Sequence, residues 1–167
     1  MLGGNILAAD DPELMKYPLA YLSEPGGWHP TPSEVKSLHD YLTKGGSIIF
    51  DDFDARGDLM NLAEVMSRVL PGSRILDLPQ SHPIFDSFFK IDLSVLARGG
   101  GAGSYRGAPQ YMAIYQDNDP KKRVIAVVNA ANDIGEYWEY SDQGFSPVPS
   151  NEAYKLGVNY LIYALTH

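Results

Sequence analysis

The chain contains no cysteine among its 167 residues. This absence excludes disulfide bonds, thiolate metal ligands and a cysteine nucleophile. No apolar run approaches the roughly 20 residues that a membrane-spanning helix needs, so we expect no direct membrane span. The first residues, Met1 to Asn5, have neither a basic region nor a long apolar segment, and they do not resemble a signal peptide.

Positive charge is also scarce. The chain has 13 basic and 21 acidic residues, which give a formal net charge of −8 at pH 7. A surface of this sign is a poor partner for nucleic acid and for anionic membranes. The one basic run, Lys121 to Arg123, follows the turn sequence Asp117 to Pro120 and is typical of a solvated hairpin tip. The chain length predicts a single domain over residues 1–167.

The stretch Gly45–Asp54 organises the rest of the sequence. Two glycines precede the apolar run Ile48–Phe50, and carboxylates follow at Asp51, Asp52 and Asp54. A short continuous apolar run bounded by turn residues is typical of a strand that is buried on both faces. Ligands of open α/β sheets bind beyond the carboxyl ends of such strands. The three aspartates therefore mark the edge at which we expect a site.

A strand, a helix and a second strand precede these aspartates. Residues Tyr17–Leu22 form an apolar strand, and Thr31–Glu34 is a capping box that begins a helix ending at Gly45. Such a βαβ unit places the carboxyl ends of both strands at one edge of the sheet. We therefore expect Glu24 and the aspartates after the second strand to meet there.

The later elements complete an α/β pattern. They are a helix near Asp58–Leu70, a strand at Arg74–Leu78, hairpin strands at Tyr111–Gln116 and Arg123–Asn129, and an apolar helix at Asn151–Leu165. This order predicts a three-layer, flavodoxin-like α/β fold with a mostly parallel sheet.

Several stretches together resemble a bacterial family, the domain of unknown function 4159. The resemblance covers nearly the whole chain. Its stretches are Asp10–Leu14, Lys16–Pro18, Glu24–Gly26, Gly45–Gly46, Phe50–Phe53, His82–Phe85, Ser87–Phe89, Asn132–Glu139, Asn151–Tyr160 and Leu165–His167.

The resemblance implies a class I glutamine amidotransferase-like fold, related to the trehalose-utilisation group, and no known reaction. The family carries a further segment before the position of Asn5, so the first strand of its sheet is expected to be missing here. The amidotransferase nucleophile is absent, and its triad transfers to no residue. Members are often exported, which implies a periplasmic or membrane-associated location, or a cytoplasmic one if no signal precedes the chain.

Two loops at the expected carboxyl edge carry candidate binding residues. Asp51, Asp52 and Asp54 suit acid–base chemistry or a divalent cation such as magnesium or calcium, although one carboxylate capping a turn explains them as well. Glu24, with the Trp28 and His29 side chains, offers a carboxylate, an aromatic face and an imidazole for a sugar or polyol. Ordinary loop packing is the alternative for that group.

Two further candidate groups follow later strands. His82 precedes Pro83, which favours a rigid turn over a ligand. Five polar or aromatic residues follow the last predicted strand: Asn129, Asn132, Asp133, Glu136 and Trp138. Helix caps and core aromatics explain this second group equally well.

We expect a non-catalytic binding or interaction domain of an envelope-associated bacterial system, with no resident cofactor. The alternative is a carbohydrate-directed hydrolase or isomerase that uses Glu24, Asp52 and Glu136 as acid–base groups. A deep pocket holding two carboxylates would favour the enzyme, and a flat apolar patch the interaction domain. Because a missing first strand would expose a sheet edge and an apolar helix surface, we expect a homodimer or another protein partner.

Overall fold

A computed structural model describes residues 5–53, 56–98, 109–142 and 144–167. Asp54, one of the candidate residues, lies outside these ranges. The described residues form one five-stranded sheet with the spatial order β1-β2-β5-β4-β3. Its strands are β1 (Leu19–Ser23), β2 (Ser47–Asp51), β3 (Leu76–Asp77), β4 (Gln110–Tyr115) and β5 (Val124–Ala130).

The α/β class is confirmed, but the expectation of a mostly parallel sheet is wrong. β1, β2 and β5 run parallel to one another, whereas β4 pairs antiparallel with β5, and β3 pairs antiparallel with β4. The sheet is mixed because a short turn joins β4 to β5, and a connection this short can only link antiparallel neighbours. The predicted hairpin is thus confirmed, and it is the element that reverses the sheet.

Five helices belong to the described part of the chain: α1 (Pro32–Thr43), α2 (Arg56–Val69), α3 (Leu93–Arg98), α4 (Ile134–Glu139) and α5 (Pro147–Thr166). The capping box of α1 is confirmed, since Glu34 N donates to Thr31 Oγ1 and Thr31 N donates to the Glu34 carboxylate. α5 begins before the expected Asn151 because Pro147 suits its first turn. None of these helices is both long and apolar enough to cross a membrane.

Helices cover both faces of the sheet. β2 is buried along its whole length, as its apolar sequence predicts. Phe50 packs on one face with Leu38 of α1 and Leu62 of α2. Ile49 faces the other side and packs with Leu156 of α5. The alternation of strand side chains between the two faces therefore divides the core into two layers.

The carboxyl ends of β1, β2 and β5 lie at one edge of the sheet, which we call the carboxyl edge. Glu24 N donates to the Asp51 carbonyl oxygen at 3.2 Å, so the predicted meeting of these two strand ends is confirmed for the backbone. The residue after each strand has a positive φ: 53° at Glu24, 63° at Asp52 and 53° at Ala131. Each left-handed residue without glycine costs of order 1–3 kcal/mol, and such strain concentrates at functional sites.

Candidate functional site

The Asp51 carboxylate is the centre of the carboxyl edge and is fully buried. It accepts hydrogen bonds from Tyr21 Oη at 2.9 Å, Gly135 N at 2.7 Å and Ile134 N at 3.2 Å. The two backbone donors belong to the first turn of α4, where N–H groups have no partner inside the helix. Asp51, the last residue of β2, therefore caps α4, although α4 follows β5 in the chain. Burial raises the pKa of Asp51, and the backbone donors act in the opposite direction.

A second carboxylate, Asp133, lies beside Asp51. Burial raises the pKa of Asp133 to about 7, and the negative charges of Asp52, Asp51 and Glu136 add to the rise. Its Oδ1 atom accepts a hydrogen bond from Glu136 N at 2.9 Å, which favours the charged form. The structure thus brings three of the sequence-predicted carboxylates, Asp51, Asp52 and Glu136, close enough to a fourth to raise the pKa of Asp133.

The raised pKa of Asp133 predicts a pH-dependent stability. The unfolded pKa is about 3.9, so the folded state binds more protons between about pH 4 and pH 7, and stability falls as the pH rises through this window. Asp133→Asn removes the ionisation and keeps an N-cap acceptor. We expect the variant to be more stable than the wild type by about 1 kcal/mol at about pH 8, after discounting for solvent screening, with a smaller gain at about pH 4.5.

Urea unfolding of both proteins at the two pH values measures this difference. The matched control is Asp142→Asn, which changes an exposed carboxylate of the neighbouring segment. An equal effect of Asp133→Asn at both pH values, or a loss of stability at the higher pH, would contradict the assigned electrostatics.

The two candidate asparagines are buried parts of the same edge. Asn129 Oδ1 accepts a hydrogen bond from Tyr160 Oη at 2.8 Å. The Asn129 side chain lowers the pKa of Asp51, as a hydrogen-bond donor to the carboxylate would. In the described ranges, however, the Asn129 Nδ2 atom has no partner within hydrogen-bond geometry. Asn132 Nδ2 donates to Tyr111 Oη at 3.2 Å, and Asn132 Oδ1 accepts from Asp133 N at 3.1 Å. Both asparagines therefore support the backbone around the carboxylates.

Of the candidate sugar-binding residues Glu24, Trp28 and His29, the Trp28 side chain does not point toward these carboxylates. That indole packs against Phe50, with ring centroids 6.0 Å apart, on the face of the sheet that carries α1 and α2. Glu24 and His29 are exposed. Trp28 thus covers core surface, which is the packing alternative that the sequence left open.

His82 lies far from the carboxyl edge. Its Nδ1 atom accepts a hydrogen bond from Ile84 N at 3.2 Å, and its ring packs beside Tyr163, whose hydroxyl accepts from Val124 N at the amino end of β5. Burial lowers the pKa of His82, and the charge of His167 lowers it further. The imidazole therefore caps a turn at the opposite edge of the sheet.

Divalent cation binding gains no support from the described residues. Within the described ranges, no three histidine or acidic side chains are placed so that they could hold a metal ion.

Sequence reasoning missed Tyr21 and Gly135, which hold the carboxyl edge together. A side chain on Gly135 would overlap the Tyr21 hydroxyl and lie 3.4 Å from Asp51 Oδ2. Glycine is therefore required for the close approach of α4 to β1. The one available signal was a glycine in the first turn of a helix that carries a capping aspartate, a position where glycine is otherwise unfavourable.

An open apolar groove adjoins the carboxyl edge, between the sheet face of β1 and the side of α5. Its volume is about 510 Å³, and we call it the β1–α5 groove. Its lining residues are Leu19, Ala20, Tyr21, Ile49, Trp138, Tyr154, Gly157, Val158 and Leu161.

Large apolar side chains of the β1–α5 groove are exposed to solvent. The exposed fractions are 44% for Tyr21, 46% for Tyr154, 39% for Val158 and 42% for Leu161. Tyr21 joins the groove to the carboxyl edge, because its ring lines the groove and packs against Trp138 at 5.7 Å, while its hydroxyl binds Asp51. Contiguous exposed apolar surface of this kind marks interaction sites.

The chain is an α/β domain with an open mixed sheet, a buried carboxylate at one sheet edge and an apolar groove beside it. A family model described as domain of unknown function (DUF4159) matches residues 3–165. The chain therefore belongs to this family. No curated protein matches it.

Proposed function

We propose that this domain is a non-catalytic interaction module that binds a protein partner in the β1–α5 groove. The observation that supports the proposal most strongly is the groove itself, because its lining contains no charged side chain and exposes several large apolar ones. A folded protein gains stability by burying such side chains, at about 25 cal/mol per Å² of apolar surface. A partner that covers them would gain part of this free energy, because association also costs translational, rotational and side-chain freedom.

The position of β1 adds to the proposal. β1 is the terminal strand of the described sheet and pairs with β2 alone. An edge strand next to exposed apolar surface invites a further element to pack beside it. Protein partners use such edges and grooves in several recurring binding modes.

The carbohydrate-directed alternative has less support. Acid–base chemistry would draw on the coupled carboxylates at the carboxyl edge, and Asp133 with a pKa of about 7 suits that chemistry. However, Asp51 already accepts three hydrogen bonds within the fold, and Trp28 packs on the opposite face of the sheet from Asp133 and α4. The strained residues after the strands fit either function.

Two finer parts of the proposal come from the family resemblance. We place the domain among the class I glutamine amidotransferase-like folds, related to the trehalose-utilisation group, and the parallel arrangement of β1, β2 and β5 is compatible with this. We also propose that the interaction takes place in an envelope-associated bacterial system.

Site-specific cross-linking tests the proposed interaction. We expect a photo-reactive amino acid at Val158, in the groove, to give a discrete adduct with a partner protein in the cells that produce the domain. The matched position is Met60 on α2, which is 69% exposed and lies outside the groove lining. The adduct should be lost when Leu161→Gln is added to the Val158 protein. Equal adducts from both positions, or none from Val158, would refute the proposal.

A further inference from the structure

We infer that the partner presents a basic amphipathic helix of about three turns to the β1–α5 groove. This inference rests on the proposed function and adds the chemistry of the partner. It draws on three observations: the shape of the groove, the spacing of the exposed residues of α5, and the charge at one end of the groove.

The groove has the form of a helix-binding site. Leu19 and Tyr21 of β1 form its floor, and Gly157 and Val158 of α5 form part of its wall. The absence of a side chain on Gly157 lets the Trp138 ring pack closely against α5, since a Cβ atom there would lie 2.9 Å from that ring. A helix that lies beside α5 and over β1 would complete the helical layer on this face of the sheet.

The exposed apolar residues of α5 have the spacing of a helix-packing stripe. Tyr154, Val158, Leu161 and Leu165 are exposed and follow one another at intervals of four, three and four residues. Intervals of this kind repeat the a and d positions of helices that pack side by side. The stripe is about 16 Å long at 1.5 Å per residue, which is the length of three helical turns.

Charge determines what kind of helix fits. Trp138 stands at the end of the groove near the carboxyl edge, and Tyr154 Oη donates to its carbonyl oxygen at 2.8 Å. Tyr154 Oη also lies 3.1 Å from Ser141 Oγ, so the segment 138–142 lies at this end of the groove, and its charged side chains are the exposed carboxylates of Glu139 and Asp142.

The nearest basic residue along α5, Lys155, pairs with Glu152 at 3.0 Å, and among the described residues no ion pair involves Glu139 or Asp142. A lysine or arginine at one end of the partner helix would meet the acidic rim and gain a favourable interaction. A second copy of this chain would bring a formal charge of −8 to a surface of the same sign. The charges therefore favour a basic partner over a homodimer.

Binding of two synthetic peptides tests the inference. The probe is a blocked helical peptide of about 14 residues, with leucines at the spacing of the α5 stripe and lysines on its other face and at one end. The control peptide has glutamate in place of every lysine. We expect the lysine peptide to bind saturably and the glutamate peptide to bind at least about tenfold more weakly, with the difference decreasing at high salt.

Protein variants locate the binding site. Val158→Gln with Leu161→Gln should reduce the affinity for the lysine peptide at least about tenfold, whereas Met60→Gln should leave it unchanged. Glu139→Gln with Asp142→Asn should reduce the preference for the lysine peptide while the weaker binding of the glutamate peptide is retained. Circular dichroism of each variant confirms that it is folded.

Each other outcome overturns the inference. Equal affinity for the two peptides would show that the groove does not select a basic helix. If the partner cross-linked to Val158 has no basic helix, the inference is also wrong, although the proposed function as an interaction module would still hold. No binding of either peptide would also refute the inference. A dimer in sedimentation that Val158→Gln with Leu161→Gln dissociates would show that a second copy occupies the groove.

Discussion

Asp51→Ala is expected to lower the free energy of unfolding by about 3 kcal/mol, because it leaves buried hydrogen-bond donors without an acceptor. The wild-type carboxylate accepts from Tyr21 Oη and from the backbone N–H groups of Ile134 and Gly135. An unsatisfied buried donor costs about 1–3 kcal/mol, and two of these donors are backbone groups that cannot turn toward water. Urea unfolding at neutral pH measures the loss.

Two variants show whether this loss comes from the lost acceptor. Asp51→Asn keeps one acceptor oxygen but places an NH₂ group where the carboxylate accepted, so we expect a smaller loss of about 2 kcal/mol. Asp52→Asn changes the neighbouring half-buried residue, and asparagine tolerates its left-handed backbone, so we expect a change below about 0.5 kcal/mol. If Asp51→Ala were as stable as Asp52→Asn, Asp51 would not hold α4.

Gly135→Ala is expected to destabilise the domain by about 2 kcal/mol, although alanine favours a helix over glycine by about 1 kcal/mol. The added methyl group would overlap the Tyr21 hydroxyl and would lie 3.2 Å from Tyr21 Cζ. Either Tyr21 leaves Asp51 or α4 moves away from β1. Gly27→Ala is the matched control, since a Cβ atom there meets nothing within 4 Å.

A double-mutant cycle identifies Tyr21 as the cause. Tyr21→Phe removes the hydroxyl with which the new methyl group collides, so Gly135→Ala should cost about 1 kcal/mol less in that background. Strictly additive losses in unfolding free energy would show that the strain of Gly135→Ala does not pass through Tyr21.

Much of the order of elements along the chain could be predicted from local signals. The capping box at Thr31 and Glu34 begins α1, and Gly45, with a φ of 114°, follows its last turn. The mixed sheet could not be predicted in the same way. Strand order depends on which strands pair across the sheet, and β3 contributes only Leu76 and Asp77 to that pairing.

The sequence predicted the carboxylates of the candidate site better than their roles. The position of Asp51 after a buried strand indicates the carboxyl edge. Its donors Ile134 and Gly135 lie more than 80 residues further along the chain, and no periodic pattern links residues so far apart. The sequence therefore predicts Asp51 as a candidate site residue but does not predict that it caps α4.

The β1–α5 groove was harder still to predict. The apolar sequence of α5 indicates a helix that is buried on most sides, and Leu156 and Tyr160 are indeed buried. Val158 and Leu161 are exposed because none of the described elements covers that side of α5. An apolar helix face has the same sequence whether or not another element covers it, so the neighbouring elements decide which side of α5 stays open.

The most direct test of the proposed interaction is a titration of the ¹⁵N-labelled domain with the lysine peptide, followed by amide NMR shifts. We expect the shifting amides to cluster at Leu19–Tyr21 and Gly157–Leu161, the two segments that contribute to the lining of the β1–α5 groove. Unchanged amides in both segments, with shifts confined to the opposite edge around His82, would contradict it.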